Sequence, residues 1–135
     1  MKRQRCATSE LKTELLRSDD SLVRMFARQY KLQKRLHLGV DPAGFPEKEK
    51  VNYLVHMLTA LIMEGAEALD HLPWKHWKTY QEPTPEELQE LKYELIDVFH
   101  FLLNVFMATG GTPAEFVAIF EDKNKQNHAR QDGGY

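Results

Sequence analysis

Two short stretches carry matched acids: "LIMEGAEAL" holds Glu64 and Glu67, and "ELIDVFHFLL" holds Glu94 and Asp97. In each the acids stand three apart, and on a helix such positions are surface neighbours. An ordinary surface helix sets its charges opposite its apolar stripe. Here Leu95, Ile96, Val98, Phe99, Phe101, Leu102 and Leu103 leave little polar face around Glu94 and Asp97. The acids are therefore expected to point at protein, or at something the protein holds. If the two helices pack antiparallel along these lines, four carboxylates converge. Leaving all four ionised and unpaired away from water would cost several kcal/mol per charge. Either their proton affinity rises or cations sit among them. Oxygen donors without cysteine suit hard divalent ions, Mg2+ first and Mn2+ as its substitute. One such acid alone reads as a solvated or ion-paired carboxylate, whereas two matched pairs inside apolar helices favour the metal reading. His100 reads as a partner of Asp97, or a core histidine, rather than a ligand.

The elements that must position these acids are punctuated clearly. "TPEELQEL" offers Thr84 as N-cap, Pro85 in the first helical position and Glu87 three residues after the Thr; "TPAEF" repeats this with Thr112, Pro113 and Glu115. Both are capping boxes with proline where a helix tolerates it. "ATGG" ends the intervening helix, because Gly110 and Gly111 can take the left-handed C-cap conformation. Asp19 or Asp20 caps an earlier helix, and "VDPAGFPEKEK" is a loop. The reading is all-α: helices near 20–37, 47–71, 85–109 and 113–128, plus some N-terminal helix. The polar, proline-bounded segment 72–84 returns the third helix antiparallel to the second. No stretch alternates convincingly with period two between turn signals, so few or no strands are expected.

With 135 residues the chain reads as one domain, with 1–18 an N-terminal extension and 123–135 a polar tail. A net charge of −2 gives no electrostatic footprint for nucleic acid. The basic opening "MKRQR" is followed by no apolar run, so neither a signal peptide nor a membrane span is expected. Cys6 is the single cysteine, which excludes an internal disulfide and a cysteine-based zinc site. These features fit a protein of the reducing cytoplasm. Val98, Phe99, Leu102, Phe106 and Met107 span more than one face of their helix, so burial against a second copy in a homodimer is expected.

Three further stretches line up with the acids: "RMFARQYKLQKRL", "PWKHWK" and "KNKQNHARQDGGY". Together with "EGAE" and "ELIDVFHFLL", in this order, they resemble the all-α dimeric dUTP diphosphatases, relatives of the MazG-type nucleoside triphosphate pyrophosphohydrolases. The resemblance runs from about Leu22 to Tyr135. It implies a four-helix-bundle-like core, a homodimer, and hydrolysis of dUTP to dUMP and pyrophosphate. It also implies that Glu64, Glu67, Glu94 and Asp97 hold Mg2+ against the triphosphate. Lys78 of the W-K-x-W-K stretch, with Lys123, Asn127 and Arg130, matches phosphate-contacting positions, and residues 123–135 match a segment that closes the site. Gln29 and Trp77 match positions beside the nucleoside. Where better-known members carry an asparagine near that glutamine, this chain has Tyr30, Leu32 and Gln33, which leaves the base open.

The chemistry is coherent without the resemblance. Acids alone would repel a polyphosphate; divalent ions between them turn repulsion into attraction and make a bound water more acidic. A carboxylate partly free of metal can take the water's proton, Glu67 first and Glu64 next. Arg130 suits outer phosphates as a fork and Lys123 as a point charge. Trp74 and Trp77 also have a plain reading as packing residues, and the tail has the composition of a disordered terminus. A tail that orders over substrate, making closure part of catalysis, is the preferred expectation. The same reaction on another (d)NTP, a di-iron helical protein and a non-enzymatic helical module are the competing readings. "EGAE" lacks the histidine that a Glu-x-x-His di-iron site wants.

Overall fold

The computed structural model describes residues 19–134, so the N-terminal helix expected before them lies outside the described residues. Four α-helices follow in order: α1 Ser21–Leu36, α2 Glu47–Asp70, α3 Pro85–Ala108 and α4 Pro113–Asp132, with a short 3-10 turn at Pro42–Gly44. No strand occurs among the described residues.

Three of the four starts carry a side-chain cap, and α2 begins after Pro46 without one. Asp20, not Asp19, caps α1: its Oδ1 accepts from the backbone N–H of Leu22 and Val23 at 2.9 and 3.1 Å. At α3 the capping box is complete, with Thr84 Oγ1 accepting from Glu87 N–H (3.1 Å) and Glu87 Oε2 accepting from Thr84 N–H (2.7 Å). Thr112 supplies the first half of the same device to α4, accepting from Glu115 N–H at 3.2 Å. Gly110 takes a positive φ of 88° after α3, the left-handed conformation its sequence position suggested. Gly111 matters for a different reason: a Cβ there would collide with the Phe106 ring.

α2 and α3 form the central pair. Met57 meets Asn104, and Glu64 meets Glu94; one number rises as the other falls, so the two run antiparallel as expected. α1 lies across α3, burying Phe26, Gln29, Tyr30 and Gln33, which share one face at helical spacing. The core gathers Phe26, Tyr30, Leu103 and Met107, flanked by Leu22, Phe99, Phe106 and Phe116. Phe26, Phe106 and Phe116 meet edge-to-face with centroids 5.1 to 6.1 Å apart. This aromatic knot pins the first turn of α4 against α1 and α3.

Beyond that turn α4 diverges. The chain direction changes by 109° between α3 and α4, and α4 buries no residue. Its helix nevertheless continues to Asp132, four residues past the expected end near 128. Lys, Gln, Ala and Arg are strong helix formers, and Gln126 Nε2 donates to Asp122 Oδ2 one turn back, so local propensity carries the helix through the polar segment. No single helix among the described residues is long and apolar enough to cross a membrane.

Candidate metal and nucleotide site

The acids converge on the α2–α3 seam. Glu64, Glu94 and Asp97 each offer a carboxylate oxygen, and these three atoms lie within 4.8 Å of one another. Glu64 and Glu94 are half-buried and Asp97 is exposed. Glu67, one turn along α2, is exposed and stands outside this trio, yet close enough for its charge to act on Glu64. Glu64 holds its proton above the usual carboxylate range. Desolvation is the first cause, followed by the charges of Glu67 and Asp97, a hydrogen bond with Glu94 and the charge of Glu94. Among the described residues no Lys or Arg is paired with this trio. Clustered carboxylate oxygens are the donor chemistry that hard divalent ions take. The donor set therefore fits Mg2+ or Mn2+.

Two histidines border the acids. His100 Nδ1 lies 3.4 Å from Asp97 Oδ1, the pairing that the three-residue spacing suggested. His71 Nε2 lies 3.6 Å from Glu94 Oε1 across the seam. Sequence reading missed His71; its signal was the spacing Glu64, Glu67, His71, one face of α2 continued by another turn.

The remaining expected residues fall in three places. Gln29 is buried between α1 and α3, its Nε2 donating to Asn104 Oδ1 at 2.8 Å. Trp77 and Lys78 lie on the α2–α3 connection. Trp77 is exposed, edge-on to Trp74 and His76 with centroids 5.7 and 5.0 Å away. Lys78 lines an open concavity with Trp74, Lys75, His76 and Tyr80. Trp74 is anchored, donating from Nε1 to Asp70 Oδ1 (3.0 Å), with the Lys75 ammonium 5.3 Å from its ring centroid. Lys123, Asn127 and Arg130 are exposed on α4. Neither they nor Lys78 form a hydrogen bond or ion pair with the acids among the described residues. The seam thus brings the acids together and leaves the basic candidates apart.

Comparison with known proteins gives this arrangement a family. The profile of the family described as dUTPase matches residues 21–118, a span that holds all four acids. The chain belongs to the dUTPase family. A dCTP pyrophosphatase of Enterobacteria phage T4 is 41% identical over 71 residues, covering 46% of this chain and 42% of the relative. A dCTP pyrophosphatase of Enterobacteria phage LZ5 is 42% identical over 71 residues, covering 46% and 41%. A DNA replication protein of phage T4 is 38% identical over 61 residues, 38% of this chain but 16% of that protein. The dUTPase-family chain thus spans less than half the length of these curated relatives. No solved structure gives a significant match.

Proposed function

We propose that the protein is a divalent-metal-dependent nucleoside triphosphate pyrophosphohydrolase that converts dUTP to dUMP and pyrophosphate. The observation that carries this reading is the convergence of Glu64, Glu94 and Asp97 within 4.8 Å in a chain of the dUTPase family. dCTP is the second substrate to test, because two relatives bear the name dCTP pyrophosphatase.

Glu64, Glu94 and Asp97, with Glu67 beside them, would hold Mg2+. When bound, the metal supplies charge neutralisation for the polyphosphate and acidifies water. Glu67, the exposed acid outside the trio, is suited to accept the proton of the attacking water, with Glu64 as the other candidate. Water oxygen then bonds to the α-phosphorus, the bond from that phosphorus to the α–β bridging oxygen breaks, and pyrophosphate leaves. His71 and His100 steady Glu94 and Asp97 in the orientation this requires. Lys78, Lys123, Asn127 and Arg130 are the proposed phosphate contacts, and Gln29 and Trp77 the proposed nucleoside contacts. Since the basic groups stand apart from the acids, substrate or a second protomer must draw them together.

The homodimer belongs to the same proposal. Val51, Val55, Leu58, Ile62 and Leu69 form an exposed stripe on α2, and Leu88, Leu95 and Leu102 form another on α3. Spacings of three, four and seven align each set on one helix face. Apolar faces of this kind mark association surfaces.

The decisive experiment incubates purified full-length chain with each common dNTP and rNTP, with and without Mg2+, and follows products by phosphorus NMR. Mg2+-dependent release of dUMP and pyrophosphate is expected. Orthophosphate release, or no hydrolysis of any nucleotide, would refute the reading.

A further inference from the structure

The chain divides its charge by position. Residues 1–40 carry ten Lys and Arg against four Asp and Glu, whereas residues 41–135 carry eight against sixteen. The overall charge of −2 averages over this division, and such an asymmetry points to a polyanionic partner for the basic part.

α1 concentrates the excess. It holds Arg24, Arg28, Lys31, Lys34 and Arg35 and no acid. Arg24, Arg28, Lys31 and Arg35 follow at intervals of four, three and four residues, so they stand in one line along the helix. That line is about 16 Å long at the helical rise. The face opposite it is core: Phe26, Gln29, Tyr30 and Gln33 are buried. The line therefore looks outward, away from the seam that gathers the acids. Arg28, Lys31 and Arg35 are exposed, and none of them forms an ion pair among the described residues. Arg24 Nη2 donates to Ser21 Oγ at 3.0 Å, and Lys34, off the line, sits 5.7 Å from the Tyr30 ring centroid.

The rest of the helix selects the polyanion. A helix lying in a membrane surface sinks the apolar face opposite its charges into lipid. Here that face is spent on the core, and only a flank of Met25, Leu32 and Leu36 stays apolar and exposed. Single strands are held by stacking bases on aromatic rings, and no aromatic residue stands in the line. A row of cations offers no acceptor to the 2′-hydroxyls that distinguish RNA. A second copy would set like charges face to face. A DNA duplex, with one negative charge per about 1.7 Å of axis, is the dense, rigid anion that the row suits. Three of its four members are arginines, whose forks pair with phosphate oxygens.

We infer that α1 is a docking surface for double-stranded DNA, its line of Arg24, Arg28, Lys31 and Arg35 lying on the phosphate backbone without reading base sequence. The contact is separate from the proposed hydrolysis at the seam.

The test follows fluorescence anisotropy of short labelled DNA duplexes of two unrelated sequences mixed with the full-length chain. Wild type is expected to bind both alike and to lose about a hundredfold in affinity from about 50 to about 200 mM salt, as about four phosphate contacts require. The combined Arg28→Glu, Lys31→Glu and Arg35→Glu variant changes exposed side chains alone. It is expected to bind at least about tenfold more weakly, with a salt slope shallower by about three, while nucleotide hydrolysis is unchanged. Arg28→Gln with Arg35→Gln keeps good helix formers and reports if the charge reversal unfolds the chain; its slope should fall by about two. Absence of duplex binding by wild type at low salt overturns the inference, as does binding that survives both variants. Tighter binding to single strands, to duplex RNA or to vesicles of anionic phospholipid than to duplex DNA overturns it as well.

Discussion

Glu64 shows how one side chain registers the purpose of its surroundings. Its proton is held more tightly than usual because burial and three neighbouring acids all oppose its charge. Glu64→Gln removes that repulsion. In metal-free buffer the variant is expected to melt no lower than wild type, while the stabilisation by millimolar Mg2+ seen in wild type disappears and turnover drops at least about a hundredfold. Differential scanning fluorimetry with and without Mg2+, beside the product assay, measures all three. Tyr53 gives a cleaner pH signal, being far from the acids along the seam. Burial first, and the Asp41 charge second, push its phenol up to about 12. An unfolded chain ionises its tyrosines near pH ~10. Between those values the unfolded state sheds a proton that the folded state keeps, so stability falls as pH rises from about 10 to about 12. Tyr53→Phe should reduce that alkaline loss in melting curves, and an unchanged slope would contradict the assignment.

At the scale of elements, the caps fix where the helices that carry the acids begin. Thr84→Ala is expected to cost about 1 kcal/mol, the usual loss for an N-cap, read as a lower denaturation midpoint. The reciprocal residue adds a pH signature. Glu87 sits below the usual carboxylate range, chiefly through its hydrogen bond from the Thr84 backbone N–H and then that of the Thr84 side chain. A depressed carboxylate stabilises above the ordinary glutamate range, and that contribution is lost as pH falls through the folded value. The gap in melting temperature between wild type and Glu87→Gln should therefore be open at neutral pH and close in acid. α4 belongs to this scale too. Among the described residues its anchor is the first turn, where Phe116 enters the aromatic knot. Deleting the residues after Lys123 should leave the helical circular dichroism per residue and the melting temperature almost unchanged while most turnover is lost. Full activity in that truncation would remove Asn127 and Arg130 from the mechanism.

For the whole molecule, the exposed stripes on α2 and α3 are the dominant feature. A single chain leaves Ile62 67% and Leu95 51% exposed, which a lone soluble helix pair has no reason to do. Light scattering on wild type is expected to give twice the chain mass, and Ile62→Glu with Leu95→Glu to give monomer. If the basic groups of α4 reach the acids of the other protomer, the same double variant loses activity in proportion to its dissociation. A monomeric wild type would end that idea.

The sequence alone determined what short-range physics governs. The 3.6-residue period, the Thr-Pro starts and the Gly110 stop set all four helices, and the spacing of Glu64 with Glu67 and of Glu94 with Asp97 put each pair on one face. Those features depend on residues within a turn or two of each other, so they are legible without a fold. Only the tertiary structure decided which of the acids meet, that His71 reaches Glu94, and that Gln29 is bonded to Asn104 from 75 residues away. It also decided that the apolar stripes of α2 and α3 stay uncovered by the described residues. Each of these turns on the register of segments distant in sequence, which is fixed by side-chain packing in three dimensions rather than by any local preference.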